Sequence, residues 1–277
     1  MEKIPVMING LPGNVAKTMA SAAIADERFT IIPYSLTGAD VPDNMTNIET
    51  MDFTLVKPDT RNEKIKDILS LYPFFIAIDY THPTAVNSNA EFYVQNNIPF
   101  VMGTTGGDRE KLEQTVNLGS IPAVIAPNMA KQIVGFQAMM AYGARTFPDL
   151  FKGFSLTVKE SHQQSKADTS GTARAMVGYF NDLGVDFKVE DIQKIRAPEI
   201  QEKEWNIPRE HLSGHGWHTY TLTADDGSSL FEFTHNINGR DIYASGTFDA
   251  VIFLKEKRLA RENKKRVFTM IDVLNQA

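Results

Sequence analysis

The stretch KIPVMINGLPGNVAKTMASAAIADE, residues 3–27, decides the fold because it joins an apolar strand to a helix through a glycine-rich turn. Gly10, Gly13 and Ala16 stand in a G-x-x-G-x-x-A arrangement at this junction. Such a turn lets the backbone approach a pyrophosphate closely, and it places a small residue where the helix meets the strand. The pattern also fits an ordinary strand-to-helix turn, so the surrounding sequence has to decide between the two.

The surrounding sequence alternates apolar strand segments with helical ones. Strands are predicted at 29–36, 47–58, 74–81, 98–107 and 121–129, and helices at 60–72, 84–97 and 109–119. This alternation predicts a doubly wound parallel sheet, whose ligands bind beyond the carboxyl ends of the strands. The glycine turn closes the first of these strands, so we interpret it as part of a dinucleotide site.

The pattern changes after about residue 130. A helix is predicted at 130–147 and an alternating strand at 154–161, and residues 217–246 predict three further strands, two of them joined by a turn at Asp226 and Gly227. Helical periodicity returns at 247–262 and 266–274. The fold class is therefore α/β: a Rossmann-like doubly wound parallel sheet plus a second α+β domain with an antiparallel or mixed sheet. Residues 1–130 form the dinucleotide-binding domain, with 247–277 packing back on it, and 131–246 the substrate-binding and oligomerisation domain.

Composition excludes several kinds of function. The net charge is −6 and the basic run KEKRLARENKKR, residues 255–266, is interpreted as the solvated face of a helix, so no nucleic-acid partner is expected. No apolar run is long enough to cross a membrane, and no membrane partner is expected. The absence of cysteine excludes thiolate catalysis and zinc–thiolate sites. The first residues lead almost directly into a strand, which favours the cytoplasm, or the plastid stroma if this is a processed plant protein.

A second motif lies in KESHQQSKADTSGTARAMVGYF, residues 159–180. Asp168, Thr169 and Ser170 are good N-cap residues before a helix with apolar residues at 173, 176, 177 and 180, expected to end at Leu183-Gly184. A helix N-terminus carries partial positive charge and free N–H groups, and Lys166 and His162 add a cation and a proton donor. The cluster suits a small dicarboxylate, although a plain helix cap beside a solvated lysine would have the same residues.

The chain resembles the 4-hydroxy-tetrahydrodipicolinate reductase (dihydrodipicolinate reductase) family. The family signature, E-x-H-H-x-x-K-x-D-(A-P)-S-G-T-A, is similar to ESHQQSKADTSGTA at 160–173. GTTG, APNMAKQ and FTHNINGRDIYASGTFDA resemble other family segments in the same order. Three departures are Gln163 for the second histidine, one residue fewer between aspartate and serine, and His82 for the usual arginine. The first two are similar to the plant-type branch.

The resemblance implies reduction of 4-hydroxy-2,3,4,5-tetrahydrodipicolinate to 2,3,4,5-tetrahydrodipicolinate in lysine and diaminopimelate biosynthesis. It implies His162 as proton donor, Lys166 as its electrostatic partner and second acid, and Gln163, Ser170, Gly171 and Thr172 as substrate-binding residues. The cofactor is expected to be NADPH, with NADH possible, because Ser35 and Thr37 precede any carboxylate after the second strand. The expected cofactor-binding residues are Gly10, Leu11, Pro12, Gly13, Asn14, Val15, Ser35, Thr37, Gly103, Thr104, Thr105, Ala126, Pro127, Asn128 and Met129.

Two alternatives stay open. One is another two-domain NAD(P)-dependent oxidoreductase; a semialdehyde dehydrogenase is disfavoured because no cysteine can attack an aldehyde. The other is a non-catalytic NADP(H)-binding sensor, which would not need the cluster at 162–172. The spacing of His211, His215 and His218 is loosely metal-like, but no metal site is expected. An open sheet edge in the second domain favours a homodimer or homotetramer.

Overall fold

The computed structural model describes residues 2–259 and 265–276. The strands are β1 Ile4–Asn9, β2 Phe29–Ile31, β3 Tyr34–Leu36, β4 Met45–Ile48, β5 Met51–Val56, β6 Ile76–Asp79, β7 Phe100–Met102, β8 Ala123–Ile125, β9 Phe154–His162, β10 Gln193–Ile195, β11 His215–Ala224, β12 Leu230–Asn238 and β13 Val267–Phe268. The helices are α1 Asn14–Ile24, α2 Arg61–Leu71, α3 Val86–Gln95, α4 Arg109–Leu118, α5 Lys131–Thr146, α6 Gly171–Asp182, α7 Pro198–Lys203, α8 Asp241–Leu259 and α9 Met270–Leu274. Short 3₁₀ turns occupy Pro83–Ala85, Val189–Asp191 and Arg209–His211.

The chain divides into two compact units, Met1–Val134 with Asp241–Ala277, and Gly135–Arg240. Residues 131–134 and 241–246, which the sequence pattern assigned to the second domain, group with the first unit. The cause is visible at Lys131, whose ammonium bonds to Asp249 Oδ2 at 2.5 Å, and at Gly246, where any Cβ would lie 1.9 Å from Met129 O.

The first unit is built on a parallel sheet with the strand order β13-β8-β7-β6-β1-β2 among the described residues. Along β1, Val6 and Ile8 join one apolar cluster while Met7 joins the other, so the sheet is covered on both faces. The order reverses between β6 and β1, which is the switch point where such sheets bind ligands. A small sheet, β3-β5-β4, adjoins this fold within the same unit.

The second unit has a mixed sheet with the order β10-β9-β11-β12. β10 runs parallel to β9, whereas β9, β11 and β12 form antiparallel pairs. Helix α6 packs its apolar stripe against the sheet, because Met176, Val177 and Phe180 share a core with Val158 and Tyr220. The predicted Rossmann-like sheet and the predicted second sheet are both confirmed, with β9 and α6 placing the motif at 159–180 at the end of a strand.

Four segments differ from the sequence prediction. The single strand expected at 47–58 is an antiparallel pair, β4 and β5, in the small sheet. The single strand expected at 29–36 is two short strands in different sheets, because Pro33 has no N–H to continue the ladder. The third strand expected before residue 246 is wrong: helix α8 begins at Asp241, and Ala244, Phe248 and Val251 recur on its buried side. The segment expected as one helix at 266–274 forms the short strand β13 and then the helix α9. Residues 260–264, which include the end of the helix predicted at 247–262 and part of the basic run at 255–266, lie outside the described residues.

Candidate functional site

The glycine turn after β1 lies at the switch point of the parallel sheet. Gly10 has φ +109°, and a Cβ on it would lie 2.2 Å from Tyr80 O at the end of β6. A Cβ on Gly13 would lie 2.8 Å from Gly10 O. Only glycine therefore fits at Gly10, because both its left-handed backbone and its neighbours exclude a side chain.

Helix α1 begins directly after this turn with Gly13 as N-cap, and no side chain caps its first turn. Gly13 and Asn14 are exposed, whereas Pro12 and Val15 are half-buried and Leu11 is buried. The first N–H groups of an eleven-residue helix are thus left for an outside acceptor. Uncapped amides at a turn that a side chain would fill fit a dinucleotide pyrophosphate.

Ser35 and Thr37, predicted to contact the cofactor, are buried and hold the turn itself. Leu11 N donates to Ser35 Oγ at 3.2 Å, and Thr37 Oγ1 donates to Leu11 O at 2.7 Å. The hydroxyls of Ser35 and Thr37 therefore hold Leu11 in the turn.

Sequence reasoning missed Asp79, the last residue of β6, as an organiser of the nearby loops. This fully buried carboxylate accepts hydrogen bonds from Thr104 Oγ1 at 2.7 Å, Tyr93 OH at 2.7 Å and Thr81 Oγ1 at 2.8 Å. Thr104 belongs to the predicted cofactor loop, and a Cβ on its neighbour Gly103 would meet the Tyr80 ring at 2.3 Å. The sequence did contain a signal for this role, because Asp79 is a carboxylate at the end of an otherwise apolar strand.

The other predicted cofactor residues follow β7 and β8. Thr105 and Pro127 are exposed, Asn128 is half-buried, and Ala126 and Met129 are buried. Asn128 Oδ1 accepts from Ala130 N at 2.9 Å, which closes the loop before α5. Exposed polar backbone after two adjacent parallel strands is consistent with the predicted cofactor edge. At the equivalent loop after β6, His82 is exposed and its Nδ1 accepts from Thr84 N at 3.3 Å.

In the second unit, the motif at 159–180 forms one cluster. His162 ends β9, Lys166 lies in the following loop, and Ser170 is the N-cap of α6, where its Oγ accepts from Ala173 N at 3.0 Å. Gly171 is exposed and Thr172 half-buried at the first turn of the helix. The structure thus brings together the predicted cation, imidazole and helix amides.

His162 has a defined tautomer. Its Nδ1 lies 3.0 Å from the carbonyl oxygen of His215, so Nδ1 carries the hydrogen and donates it. Its Nε2 lies 3.4 Å from His218 Nε2, and Ser170 Oγ lies 2.9 Å from the same His218 nitrogen. With Nδ1 committed to His215, Nε2 is the nitrogen of His162 that could contact a ligand.

Burial governs the charge of these imidazoles. Desolvation lowers the pKa of His162 to about 4, against a smaller opposing effect of the Glu160 carboxylate. Desolvation also lowers the pKa of His235 to about 4 and that of His218 well below its usual range. The rings of His235 and His218 are tilted by 30° to each other, with centroids 4.6 Å apart. Burial therefore disfavours the charged form of all three rings.

Lys166 and Asp168 form an exposed ion pair. Lys166 Nζ donates to Asp168 Oδ1 at 2.7 Å, and this hydrogen bond lowers the pKa of the Asp168 carboxyl. Asp168 therefore does not cap α6; Ser170 does. Gln163 is half-buried, and its carbonyl accepts from Lys166 N at 2.9 Å in a turn of the loop. An exposed ion pair is worth little, so an incoming carboxylate can displace Asp168 from the ammonium at small cost.

Glu160 and Arg196 were not predicted as part of the site. Glu160 is fully buried, and Arg196 Nη2 donates to its Oε1 while Ser170 N donates to its Oε2 at 3.1 Å. Glu160 stands in the family-like signature, which was a signal for it. Arg196 follows β10, 30 residues beyond Lys166, and no local pattern marks it.

The histidines with metal-like spacing do not form a ligand set in the structure. His215 uses both nitrogens within the protein, donating from Nδ1 to His211 O at 3.0 Å and accepting from Ser161 Oγ at 2.9 Å. Glu160, His162 and His218 do bring three ligand-type atoms within 4.8 Å of one another. The cations Lys166 and Arg196 act on the same site, which favours an anion over a metal ion there.

The two units together are typical of two-domain, nucleotide-binding oxidoreductases. The first unit has a parallel sheet covered on both faces and an uncapped glycine turn, and the second has imidazoles and a lysine at a helix N-terminus. Residues 4–129 match the family model described as dihydrodipicolinate reductase, N-terminus, and residues 133–274 match dihydrodipicolinate reductase, C-terminus. The chain belongs to the dihydrodipicolinate reductase family.

Similar proteins agree with this assignment. The chain is 44% identical to 4-hydroxy-tetrahydrodipicolinate reductase 1, chloroplastic, of Arabidopsis thaliana, over 99% of the chain and 78% of that protein. It is 43% identical to the probable 4-hydroxy-tetrahydrodipicolinate reductase 1, chloroplastic, of Oryza sativa subsp. japonica, over 98% and 79%. The resemblance to the plant-type branch is thereby confirmed.

A solved structure shares the fold at much lower identity. The dipicolinate-bound dihydrodipicolinate reductase from Paenisporosarcina sp. TG-14 aligns with a TM-score of 0.66 and 18% identity, covering 97% of this chain and 98% of that one. No helix among the described residues is long and apolar enough to cross a membrane.

Proposed function

We propose that this protein reduces 4-hydroxy-2,3,4,5-tetrahydrodipicolinate to 2,3,4,5-tetrahydrodipicolinate, the reductase step of lysine and diaminopimelate biosynthesis. The observation that carries the proposal is the cluster of His162, Lys166 and the first turn of α6 in a chain of this family. Relatives more than 40% identical over nearly the whole chain bear the name of this activity.

In this proposal residues 1–130 bind the nicotinamide cofactor, with 247–277 packing back on that domain. Residues 131–246 bind the substrate and mediate self-association. The turn at Gly10 and Gly13 holds the pyrophosphate against the α1 amides. The loops around Thr104 and Asn128 take the nicotinamide half, and Asp79 keeps Thr104 in place. When bound, the reduced nicotinamide supplies the hydride.

NADPH is the preferred cofactor, and NADH is accepted. No carboxylate precedes Asp40 after the second strand segment, so nothing acidic repels a 2′-phosphate at Ser35 or Thr37. No arginine appears in this segment to bind that phosphate tightly, which is why we expect a modest preference. Comparing KM for the two nicotinamides measures it.

The substrate carries two carboxylates. One of them accepts hydrogen bonds from the amides of Gly171 and Thr172 at the positive end of α6, with Gln163 beside it. Ser170 contributes by holding the helix start, because its hydroxyl is committed to Ala173 N and His218. Lys166 leaves its exposed partner Asp168 for the dianion.

Loss of water from C4 and C5 creates a C=C bond conjugated with the ring C=N bond. One hydride then adds at C4, and one proton is taken up. Electron density then moves from C4 toward the ring nitrogen, where a positive charge or a proton donor stabilises it most. The His162 ring donates its Nδ1 hydrogen to His215 O, so the transferable proton sits on Nε2 of the imidazolium. The charge of the bound dianion favours that imidazolium, and Lys166 adds electrostatic stabilisation and a second acid.

The test is oxidation of NADPH, followed by absorbance, when freshly generated substrate from the preceding synthase reaction is supplied. The proposal requires turnover that depends on both substrate and NADPH. Tight NADPH binding without turnover would instead favour the non-catalytic NADP(H) sensor. Turnover with a sugar substrate but not with this one would favour another oxidoreductase.

A cytoplasmic or plastid-stromal location remains our prediction. The word chloroplastic in the names of the Arabidopsis and rice relatives supports the stroma. Imaging of a fluorescent fusion of the full gene product in its source organism distinguishes the two.

A further inference from the structure

The Arg196 side chain joins three parts of the second unit. Its Nε donates to Lys166 O at 2.7 Å, and its Nη1 donates to Glu160 O and Ile195 O, each at 3.2 Å. Its Nη2 donates to Glu160 Oε1 and, at 3.4 Å, to Asp168 O. One guanidinium thus contacts β9, β10 and the loop that carries Lys166.

This contact matters because the loop lacks regular pairing. Strand β9 is paired with β11 as far as His162, which lies opposite Gly216. It is paired with β10 as far as Ser161, which lies opposite Ile195. Beyond them, residues 163–169 have a single backbone turn bond, from Lys166 N to Gln163 O. The rigid fork of an arginine can fix two carbonyl groups of such a loop at once, which a lysine cannot do.

Glu160 connects the same guanidinium to the imidazoles. It is fully buried, its Oε2 accepts from Ser170 N at 3.1 Å, and this oxygen lies 3.7 Å from His218 Nε2 and 4.0 Å from His162 Nε2. A buried carboxylate is costly unless it is paired and hydrogen-bonded, and Glu160 has both forms of support. Its position beside two imidazole nitrogens indicates a use beyond stability.

The charges that act on His162 come from every neighbouring element. Glu160 on β9 favours the imidazolium, whereas Lys166 in the loop and Arg196 after β10 oppose it. His215 and His218 on β11 contact the ring, and His235 on β12 interacts with it electrostatically. Glu160 is the negative charge among these groups, so it is the countercharge for a proton on His162.

We propose that Glu160 and Arg196 are positioning residues with separate tasks. Arg196 holds the main chain of residues 163–170 so that Lys166 and the α6 amides face the substrate. Glu160 supplies the countercharge that lets His162 take up a proton when a dianion binds. The inference rests on the proposed function for the identity of that dianion, for which dipicolinate is the probe.

Glu160→Gln tests the countercharge. His162 is titrated by NMR in the dipicolinate-bound protein, with its imidazole signal assigned by its loss in His162→Gln. The pKa of His162 should fall by at least about one unit in Glu160→Gln, and the pH at which kcat declines on the alkaline side should fall with it. An unchanged His162 titration in the folded variant would overturn this part. Glu202→Gln, an exposed substitution in the same unit, is the control.

Arg196→Lys tests the positioning of the loop. It keeps the positive charge but loses most of the carbonyl contacts, so KM for the substrate should rise at least about tenfold, with the pH profile and NADPH affinity unchanged. Arg174→Lys on the exposed side of α6 should change nothing. An unaltered KM for the substrate would overturn the positioning role of Arg196. A loss of NADPH affinity as large as the rise in KM would overturn it too. Glu160 and Arg196 form one ion pair, so each variant is judged by its own measurement: the His162 titration for Glu160 and KM for Arg196. Should Glu160→Gln fail to fold, Glu160→Asp, whose shorter side chain moves the carboxylate away from the imidazoles, should also lower the pKa of His162, and an unchanged titration would overturn the countercharge.

The wild-type protein distinguishes an error in the positioning roles from an error in the proposed function. If the wild-type protein neither binds dipicolinate nor turns over, the proposed function is wrong. If it does both while Glu160→Gln and Arg196→Lys behave like their controls, only the positioning roles are wrong.

Discussion

His162 illustrates how burial and charge compete at a single residue. Removal from water depresses the pKa of the free imidazole to about 4, although a general acid must carry a proton near neutral pH. We propose that a bound dianion resolves this conflict, because its negative charge favours the imidazolium. The neighbours of His162 are arranged accordingly, with the Nδ1 hydrogen fixed by His215 O and Nε2 left to react.

Replacing the proton donor or its partner should slow the chemistry and spare the cofactor site. We expect His162→Gln or Lys166→Ala each to lower kcat by at least about 100-fold, because general acid action is typically worth that much. The dissociation constant for NADPH, measured by fluorescence, should change little. Ser165→Ala in the same loop is the control. Near-normal turnover in both variants would contradict the assigned roles.

The buried imidazoles predict a pH dependence of stability. Burial lowers the pKa of His235 to about 4 in the folded protein, whereas a solvated histidine ring has a pKa of 6.5. Between about pH 6.5 and about pH 4 the unfolded chain therefore binds more protons, and the free energy of unfolding should fall as the pH falls, by up to about 1.4 kcal/mol per pH unit for each such histidine. Urea unfolding at several pH values should show a shallower loss in His235→Asn. His82→Asn at an exposed histidine should keep the wild-type slope; equal slopes in all three proteins would contradict the prediction.

At the scale of elements, local pattern predicted most strands and helices, and tertiary context decided the rest. The face of α6 with Ala173, Met176, Val177 and Phe180 was predicted residue by residue, and all four are buried. Pro33 divides a predicted strand, because a proline cannot donate to the ladder. Residues 241–246 are apolar enough for either a strand or a helix, and packing in the first unit selects the helix.

The turn between β1 and α1 allows a sharp test at this scale. Gly10→Ala introduces a Cβ 2.2 Å from Tyr80 O at a residue with φ +109°, so the turn must shift. We expect NADPH affinity to fall at least about tenfold, because the α1 amides move with the turn. Gly38→Ala, where a Cβ meets nothing within 4 Å, is the matched control. Isothermal titration calorimetry measures both, and equal affinities would contradict the assignment of the turn.

For the whole molecule, the fold class and most of the reactive cluster could be predicted from sequence, because each depends on short-range pattern. Arg196 could not be predicted, since its partners Glu160 and Lys166 are brought to it by strand pairing between β9 and β10. Ser35 and Thr37 were predicted to bind the cofactor, whereas in the folded chain their hydroxyls bond to Leu11. The position of Ser35 and Thr37 after the strand could be predicted, whereas the direction of their hydroxyls depends on the distant residue Leu11.

Self-association remains a prediction for the whole molecule. Strand β12 is an edge of the second sheet and exposes Leu230 to 60% and Phe231 to 47%. An exposed apolar edge strand can pair with another chain. We expect sedimentation to give a homodimer or homotetramer, and Leu230→Lys to shift it toward the monomer. Leu118→Lys, at an exposed leucine of the first unit, should leave the mass unchanged. A monomeric wild-type protein would contradict the prediction.

A crystal structure of the protein with NADP⁺ and dipicolinate tests the central claim most directly. We expect one carboxylate of dipicolinate on the amides of Gly171 and Thr172, with His162 Nε2 and Lys166 Nζ directed at the ring. Dipicolinate bound at a different part of the chain, or an imidazole turned away from it, would contradict that claim.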